Sequence, residues 1–290
     1  METIHTVEWM KQVAREVRAQ GRLSGFIPTM GALHEGHASL VHTAQQQCSP
    51  VVVSIFVNLK QFGPREDFEK YPRQMDRDRS ALEQLSVEYL FAPPAAEIYP
   101  DGFRTSVTVE GLSERLEGRS RPGHFRGVST IVLKMLEIVQ PRFAYFGRKD
   151  AQQARIIGQM AADLNLDTGI VVCPIVRESD GLAMSSRNAY LQGDERRAAT
   201  VLYRALDAVR REILAGERDT LGLTATMRRV LDSEPLAAVD YAEIVDADSL
   251  EPVVRLRGKC LALLAVFIGR TRLIDNLHAE EEGDSFRVSL

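Results

Sequence analysis

Two histidines, His34 and His37, follow a short apolar run and a glycine-marked turn. The run at residues 23–27 predicts a buried strand, Gly31 marks the turn, and the apolar periodicity after Gly36 predicts a helix. A strand that turns into a helix presents backbone N–H groups and the positive helix end to an anion. Side chains at i and i+3 share one helix face, so both imidazoles can donate to one phosphate. The pattern predicts a nucleotide-phosphate site; an ordinary strand-to-helix turn and a two-histidine metal pair remain open.

A second candidate anion site is the segment Ser185-Ser186-Arg187, which follows Met184. Arginine offers a planar fork of donors and each serine adds a hydroxyl, so the three side chains together can bind an anion. The alternative is a helix N-cap followed by a surface arginine. Paired with the histidine segment, these residues predict a second contact to the phosphates.

Three residues after the apolar run at 143–146 suit a nucleoside triphosphate. Gly147 permits close approach of the backbone to a ligand, and Lys149 can contact a phosphate. Asp150 can accept hydrogen bonds from ribose hydroxyls, although an acid at this position can also simply cap the following helix. The segment therefore predicts nucleoside and phosphate contacts, with capping as the alternative for Asp150.

A glutamine, Gln61, follows the apolar run at 51–56 and precedes Phe62. An amide can donate and accept, and an aromatic ring beside it offers an apolar wall, so the pair suits a small hydroxy acid. The alternative is an ordinary surface amide.

The elements that must position these residues alternate along the first 175 or so residues, which indicates a parallel α/β sheet with ligands at the carboxyl ends of its strands. Strands are predicted at 23–27, 51–56, 87–91, 143–146 and 170–173, and helices at 7–17, 38–46, 75–85, 128–139 and 151–164. After Gly181 the pattern changes to helices at 194–214 and 220–231 and strands at 239–245, 261–268 and 271–274. We therefore predict two domains, residues 1–176 and residues 177–290.

Composition limits the classes of partner. The 290 residues carry a net charge of −4 and a pI of 5.9, which gives no general attraction to nucleic acid or to an anionic membrane. Three cysteines, Cys48, Cys173 and Cys260, lie far apart without paired spacing and are expected to be buried, reduced thiols. The first residues lack the pattern of a signal peptide, so a cytoplasmic location is expected. The sequence has neither a Gly-x-Gly-x-x-Gly fingerprint nor a Walker A loop.

These segments resemble a known family. His34-Glu35-Gly36-His37 resembles the HIGH signature of the nucleotidyltransferase superfamily, and Met184-Ser185-Ser186-Arg187-Asn188 resembles its KMSKS loop. The longer string Pro28-Thr29-Met30-Gly31-Ala32-Leu33-His34-Glu35-Gly36-His37 resembles the pantothenate synthetase (pantoate–β-alanine ligase) family. Later segments resemble that family in the same order and extend the similarity over nearly the whole chain.

The resemblance implies a Rossmann-like parallel-sheet N-terminal domain and a smaller α+β C-terminal lid domain. It implies a cytoplasmic, homodimeric ligase of pantothenate biosynthesis that condenses pantoate with β-alanine, using ATP as substrate and Mg²⁺. The products would be pantothenate, AMP and pyrophosphate, formed through a pantoyl adenylate. His124 would open a helix on the family's dimer-side and substrate-side wall.

The resemblance also implies roles for individual residues. The catalytic residues would be His34, His37, Lys149, Ser185, Ser186 and Arg187. ATP would be bound by Pro28, Thr29, Met30, His34, Gly36, His37, Gly147, Lys149, Asp150, Val176, Met184, Ser185, Ser186 and Arg187, and pantoate by Gln61, Gln153 and Met30. ATP and water would supply most of the magnesium ligands, with Asp78 as the one protein candidate.

Three other functions stay open from the sequence. A class I aminoacyl-tRNA synthetase or a fragment of one shares both signatures, but the chain lacks a basic tRNA-binding extension. A non-catalytic nucleotide sensor would keep the ribose contacts but could lose the cationic residues, which this chain retains. An enzyme that transfers AMP to a nucleotide or coenzyme precursor is the nearest rival, and it would leave AMP on the product.

Overall fold

The computed structural model describes residues 1–64 and 66–290. They form two compact units, one of Met1–Arg148 with Gln152–Pro174 and one of Lys149–Ala151 with Ile175–Leu290. The short segment Lys149–Ala151 groups with the second unit, whereas the sequence places it in the first domain.

The first unit contains a six-stranded sheet in which every pair of neighbouring strands is parallel, as predicted. Its strands are β1 (Glu2–Ile4), β2 (Gly25–Thr29), β3 (Val51–Ile55), β4 (Tyr89–Phe91), β5 (Phe143–Gly147) and β6 (Gly169–Cys173), in the order β1-β4-β3-β2-β5-β6. The helices of this part of the chain are α1 (Val7–Ala19), α2 (Glu35–Gln45), α3 (Met75–Gln84), α4 (Ala95–Ile98), α5 (Glu117–Ser120), α6 (His124–Val139) and α7 (Ala151–Asp163). This Rossmann-like arrangement confirms the predicted fold class.

The strand order reverses between β2 and β5, because the chain continues from β2 to β3 and β4 on one side and later fills β5 and β6 on the other. Strand β2 pairs with β3 along its whole length but with β5 only at Gly25 and Phe26. Pro28, which has no N–H to donate, lies beyond the region paired with β5. In sheets of this kind the ligand crevice lies at such a reversal, outside the carboxyl ends of the strands.

The second unit contains an antiparallel sheet of β7 (Ala237–Asp246), β8 (Lys259–Ile268), β9 (Thr271–Glu282) and β10 (Ser285–Ser289), in the order β10-β9-β8-β7. Its helices are α8 (Gly193–Ala198), α9 (Val201–Leu214) and α10 (Thr220–Asp232). Buried apolar side chains of α9, α10 and β8, including Leu206, Met227 and Leu264, form one core. The helices and antiparallel strands give the smaller α+β domain that the sequence predicts.

The structure corrects some predicted elements. The single helix predicted at 194–214 is interrupted between Ala198 and Val201, where the Thr200 hydroxyl donates to Arg197 O at 2.8 Å. Side-chain bonds of this kind compete with the helical ladder. The sequence also missed β1 and β10.

The three cysteines are buried and free, as the sequence predicts. Among the described residues, no helix combines the length and the apolar character needed to cross a membrane.

Candidate functional site

The two histidines lie at the beginning of α2, directly after the central strand β2. His34 is the N-cap residue, and its Nδ1 accepts a hydrogen bond from the Gly36 N–H at 3.1 Å. The Nδ1 of His37 accepts from the His34 N–H at 3.3 Å, and the two ring centroids are 4.2 Å apart. A neutral imidazole that accepts at Nδ1 carries its proton at Nε2. Each ring is therefore set up to donate an Nε2–H, which is the chemistry that a phosphate oxygen requires.

The turn that leads into this helix is held by Asp78 on α3. Its Oδ2 accepts from the Ala32 N–H and its Oδ1 from the Leu33 N–H, each at 2.8 Å, and the residue is only 2% exposed. Gly31 has a φ of +84°, and a Cβ at this position would lie 2.9 Å from Asp78 Oδ2. The carboxylate thus fits closely against a turn that only glycine can make.

This geometry favours a structural role for Asp78 over the predicted role as a magnesium ligand. Both of its oxygens are occupied by backbone donors, and the group is buried. Outside residue 65, the chain has no cluster of three or more His, Cys, Asp or Glu side chains that could hold a metal ion. Magnesium ligation by Asp78 therefore stays a prediction, which competes with these backbone contacts.

The first unit also brings together two residues predicted to bind pantoate. The Gln61 Nε2 lies 3.1 Å from the Sδ of Met30, the residue that directly follows β2. Gln61 is half-buried in a 3₁₀ turn, Leu59–Gln61, that follows β3. The amide therefore lies beside the turn that leads to the histidines, although Gln61 and Met30 are 31 positions apart in the sequence.

His124 fixes the backbone of Gln61. The His124 Nδ1 donates to Gln61 O at 2.9 Å, and its Nε2 lies 3.1 Å from Arg121 Nη1, which can only donate. Arg121 in turn makes a two-bond pair with Glu66 at 2.8 and 2.6 Å. Burial, together with the positive charge of Arg121, lowers the pKa of His124 to about 4, despite the opposing effects of Glu117 and Glu66. The imidazole is therefore neutral at physiological pH and holds the backbone of Gln61 by the hydrogen bond to its carbonyl oxygen.

The low pKa of His124 predicts that stability falls in mild acid. The unfolded chain takes up a proton near pH 6.5 and the folded chain only near pH 4, so the stability present above pH 6.5 is lost as the pH falls through this window. The full difference amounts to about 3 kcal/mol. We expect urea unfolding measured between pH 7 and pH 4 to show this slope, and His124→Gln, which cannot titrate, to reduce it.

The titration of Glu66 can be separated from that of His124 by pH. Burial by itself raises the pKa of Glu66, but the hydrogen bonds and charge of Arg121 outweigh it, so the pKa lies below the ordinary 4.5. The stability that Glu66 contributes is therefore lost mainly as the pH falls below 4.5. An unchanged slope between pH 6.5 and pH 4.5 in His124→Gln would assign the effect to another group.

The second unit holds Lys149 by its backbone. The Asn276 Nδ2 on β9 donates to Lys149 O at 2.9 Å. The Lys149 Nζ is 3.8 Å from an oxygen of Asp150, and 19% of the lysine side chain is exposed. Asp150 ends the 3₁₀ turn that leads into α7, and its half-exposed carboxylate lies beside the ammonium. Both residues predicted to contact ATP are therefore close together.

The segment after β6 forms a short hairpin. Arg177 pairs with Ala183 across it, and the Met184 N–H donates to Val176 O at 2.9 Å. The guanidinium of Arg177 makes two hydrogen bonds to the buried carboxylate of Asp275, at 2.7 and 3.0 Å. Neighbouring residues of β9, Asp275 and Asn276, thus hold the hairpin and Lys149.

Ser185 acts as an N-cap, which was the alternative drawn from the sequence. Its Oγ accepts from the Arg187 N–H at 3.2 Å and begins the 3₁₀ turn Ser186–Tyr190. The amide of Asn188 ties this turn to Glu178 at 2.8 Å and to Ala183 O at 3.1 Å. Ser186 and Arg187 lie in the first turn and are half-buried. Their contact with phosphate remains a prediction.

The structure distinguishes two neighbouring glutamines on α7. Gln152 is buried, and its amide bonds to the carbonyl oxygens of Leu112 and Arg115 at 2.9 Å each, so its role is to tie loops together. Gln153, the predicted pantoate ligand, is half-buried on the same helix. Its role stays a prediction, as do those of Pro28, Thr29, Gly36 and Gly147.

Comparisons with known sequences match one family over nearly the whole chain. A sequence model of the family described as pantoate-beta-alanine ligase matches residues 2–278. The pantothenate synthetase of Caldicellulosiruptor saccharolyticus is 50% identical over 280 residues, which cover 97% of this chain and 100% of that protein. The pantothenate synthetase of Heliobacterium modesticaldum is 53% identical over 280 residues, with coverage of 97% and 100%.

Comparisons with solved structures give the same result. The pantothenate synthetase of Thermus thermophilus superposes with a TM-score of 0.90 at 42% identity, covering 95% of this chain and 98% of that one. The pantoate-beta-alanine ligase of Francisella tularensis, solved as a complex with beta-gamma ATP and beta-alanine, has a TM-score of 0.78 at 35% identity and coverages of 95% and 97%.

Proposed function

Because the chain belongs to the pantoate–β-alanine ligase family, we propose that it joins pantoate to β-alanine in two steps that consume ATP. In the first step an oxygen of the pantoate carboxylate attacks the α-phosphorus, the bond from that phosphorus to the bridging oxygen breaks, and pyrophosphate leaves. In the second step the amine of β-alanine attacks the acyl carbon of pantoyl adenylate, AMP leaves with its oxygen, and the amine gives up a proton. The products are pantothenate, AMP and pyrophosphate.

The observation that carries this proposal is the pair of Nε2–H donors at the start of α2. They lie after the central strand β2, where the strand order reverses, and the proposed pantoate ligands Gln61 and Met30 lie beside the same turn. Carboxylate attack on a phosphate is opposed mainly by charge repulsion, so positioned donors and cations are what the reaction needs. No covalent nucleophile on the protein is required.

His34 and His37 donate to the phosphates. Lys149, Ser185, Ser186 and Arg187 stabilise the charge that develops as pyrophosphate leaves, while Gly147 and Asp150 contact the nucleoside. The remaining proposed ATP contacts are Pro28, Thr29, Met30, Gly36, Val176 and Met184, and the proposed pantoate ligands are Gln61, Gln153 and Met30.

The proposal includes the conditions under which the enzyme works. Mg²⁺ enters with ATP, bound by the phosphates and water, which is the usual way this ion reaches nucleotide enzymes. The three free, buried thiols suit a reducing compartment, and a biosynthetic ligase that consumes ATP suits the cytoplasm. We also propose that the enzyme is a homodimer.

Release of pyrophosphate without the amine tests the two-step route. We expect ATP, Mg²⁺ and pantoate to yield about one equivalent of pyrophosphate per enzyme site when β-alanine is absent, because the adenylate stays bound. Addition of β-alanine should then release AMP and pantothenate and start continuous turnover. Rapid-quench separation of the labelled nucleotides measures both phases.

Two results would contradict the proposal. Release of ADP and phosphate would indicate an acyl phosphate in place of an adenylate. A product that retains AMP would indicate adenylyl transfer, the nearest rival function.

A further inference from the structure

Asn58 lies at the centre of a buried hydrogen-bond chain beside Gln61. It is only 1% exposed, and its Nδ2 donates to Gly127 O and to Gln61 Oε1, each at 3.1 Å. The Tyr99 hydroxyl lies 2.9 Å from Asn58 Oδ1. All the polar atoms of the Asn58 side chain thus have partners in the first unit.

The carbonyl of Gly127 fixes the direction of this chain. A carbonyl oxygen can only accept, so the amide nitrogen of Asn58 must face it and the amide oxygen must face Tyr99. The position of that carbonyl is itself constrained, because a Cβ on Gly127 would lie 2.2 Å from Lys60 O. Helix α6 and the turn Leu59–Gln61 therefore approach more closely than any residue but glycine allows.

The direction continues to Gln61. Because the nitrogen of Asn58 donates to Gln61 Oε1, the Nε2 of Gln61 must point the other way, towards the Met30 Sδ at 3.1 Å. A thioether sulfur is a weak acceptor, so an oxygen atom of a ligand can displace it at little cost. The site therefore presents an amide donor.

We propose that Tyr99 is a positioning residue that acts through Asn58 to orient the amide of Gln61 as a donor to an oxygen of the hydroxy-acid substrate. This inference rests on the proposed assignment of Gln61 to pantoate. Without the tyrosine hydroxyl, Asn58 Oδ1 is buried without a donor, and Gly127 O alone holds the two amides in this orientation.

The surroundings of Tyr99 allow this role to be tested cleanly. Burial raises the pKa of Tyr99 to about 12, so the phenol keeps its proton at physiological pH. Its ring contacts Phe103 and Phe56, with centroids 5.0 and 6.2 Å away, and the Lys60 Nζ lies 5.1 Å from the ring centroid. Phenylalanine keeps these ring contacts and removes only the hydroxyl.

The experiment compares Tyr99→Phe with the wild-type enzyme in steady-state assays. We expect the KM for pantoate to rise by about 5-fold to 20-fold, the loss of one oriented hydrogen bond, while the KM for ATP changes less than about twofold. Tyr89→Phe, the same change in strand β4, is the matched control and should leave both constants unchanged. An unaltered KM for pantoate in Tyr99→Phe overturns the proposal.

A double-mutant cycle tests whether Tyr99 acts through Gln61. Gln61→Ala should raise the KM for pantoate by about 10-fold to 100-fold, and Tyr99→Phe added to Gln61→Ala should cause no further rise. If the tyrosine effect persists in the double variant, Tyr99 acts by another route and the inference is wrong. If Gln61→Ala itself leaves pantoate unaffected, the pantoate assignment fails and the inference fails with it. If Gln61→Ala has its effect and Tyr99→Phe has none, only the inference fails.

Discussion

Replacing Lys149 by alanine should slow formation of pantoyl adenylate by about 10²-fold to 10³-fold, the scale of losing one preorganised donor at a reacting centre. The Asn276 amide holds the backbone of Lys149, and most of the lysine side chain is buried. In the proposed mechanism, the ammonium of Lys149 stabilises charge that develops as pyrophosphate leaves. ATP binding should change much less, because only interactions that strengthen in the transition state accelerate the reaction. Single-turnover pyrophosphate release measures the rate.

The second half-reaction provides the internal control for Lys149→Ala. When chemically made pantoyl adenylate is supplied, capture by β-alanine should be nearly normal, since pyrophosphate is no longer involved. Lys259→Ala, which removes an exposed lysine paired with Glu280, should leave both half-reactions unchanged. An equal loss in both half-reactions of Lys149→Ala would show that the lysine supports the fold or the adenylate.

Replacing Asp78 by alanine should impair both stability and adenylation. It removes two charge-assisted hydrogen bonds and leaves the Ala32 and Leu33 N–H groups without their acceptor, which should cost about 2–4 kcal/mol of unfolding free energy. The turn before His34 would then be less well positioned, and a displacement of about 1 Å at a reacting centre can cost about 10²-fold in rate. Thermal unfolding and single-turnover adenylation measure the two effects.

A magnesium titration distinguishes positioning from metal binding in Asp78→Ala. We expect the Mg²⁺ concentration for half-maximal rate to stay unchanged, because both carboxylate oxygens already serve the backbone. Asp76→Ala, on the exposed face of the same helix, is the matched control and should alter neither stability nor rate. A large rise in the Mg²⁺ requirement without loss of stability would restore Asp78 as a metal ligand.

The sequence predicted what depends on local pattern. The apolar runs that became β3 and β6 were predicted as strands because strands covered on both faces are continuously apolar. Strand β3 is buried throughout, whereas Val172 on the edge strand β6 is exposed. The spacing of His34 and His37 identified the start of α2, and the family resemblance drawn from it is confirmed. The apolar pattern alone placed the start of α6 at residue 128, and the resemblance placed it at His124, where the helix begins. Gly127 is required in this first turn by its close contact with Lys60.

The sequence could not predict the residues that act through distant contacts. Tyr99 meets Asn58 across 41 positions, and Asn276 meets Lys149 across 127. Neither contact leaves a periodic or motif-like pattern. The structural role of Asp78 was missed for the same reason, because only the fold shows that the carboxylate accepts from the backbone of a turn more than 40 positions earlier.

The grouping of Lys149–Ala151 with the second unit has a consequence for protein engineering. The chain passes between the units after Arg148, after Ala151 and after Pro174, so no single cut separates them. Recombination with a homologue at residue 175 would therefore combine the Lys149 segment of one parent with β9 of the other. Chimaeras should retain function only where β9 supplies a donor to the backbone oxygen of Lys149, as Asn276 does here. Modular exchange of the carboxyl-terminal unit requires the three-residue segment to be transferred with it.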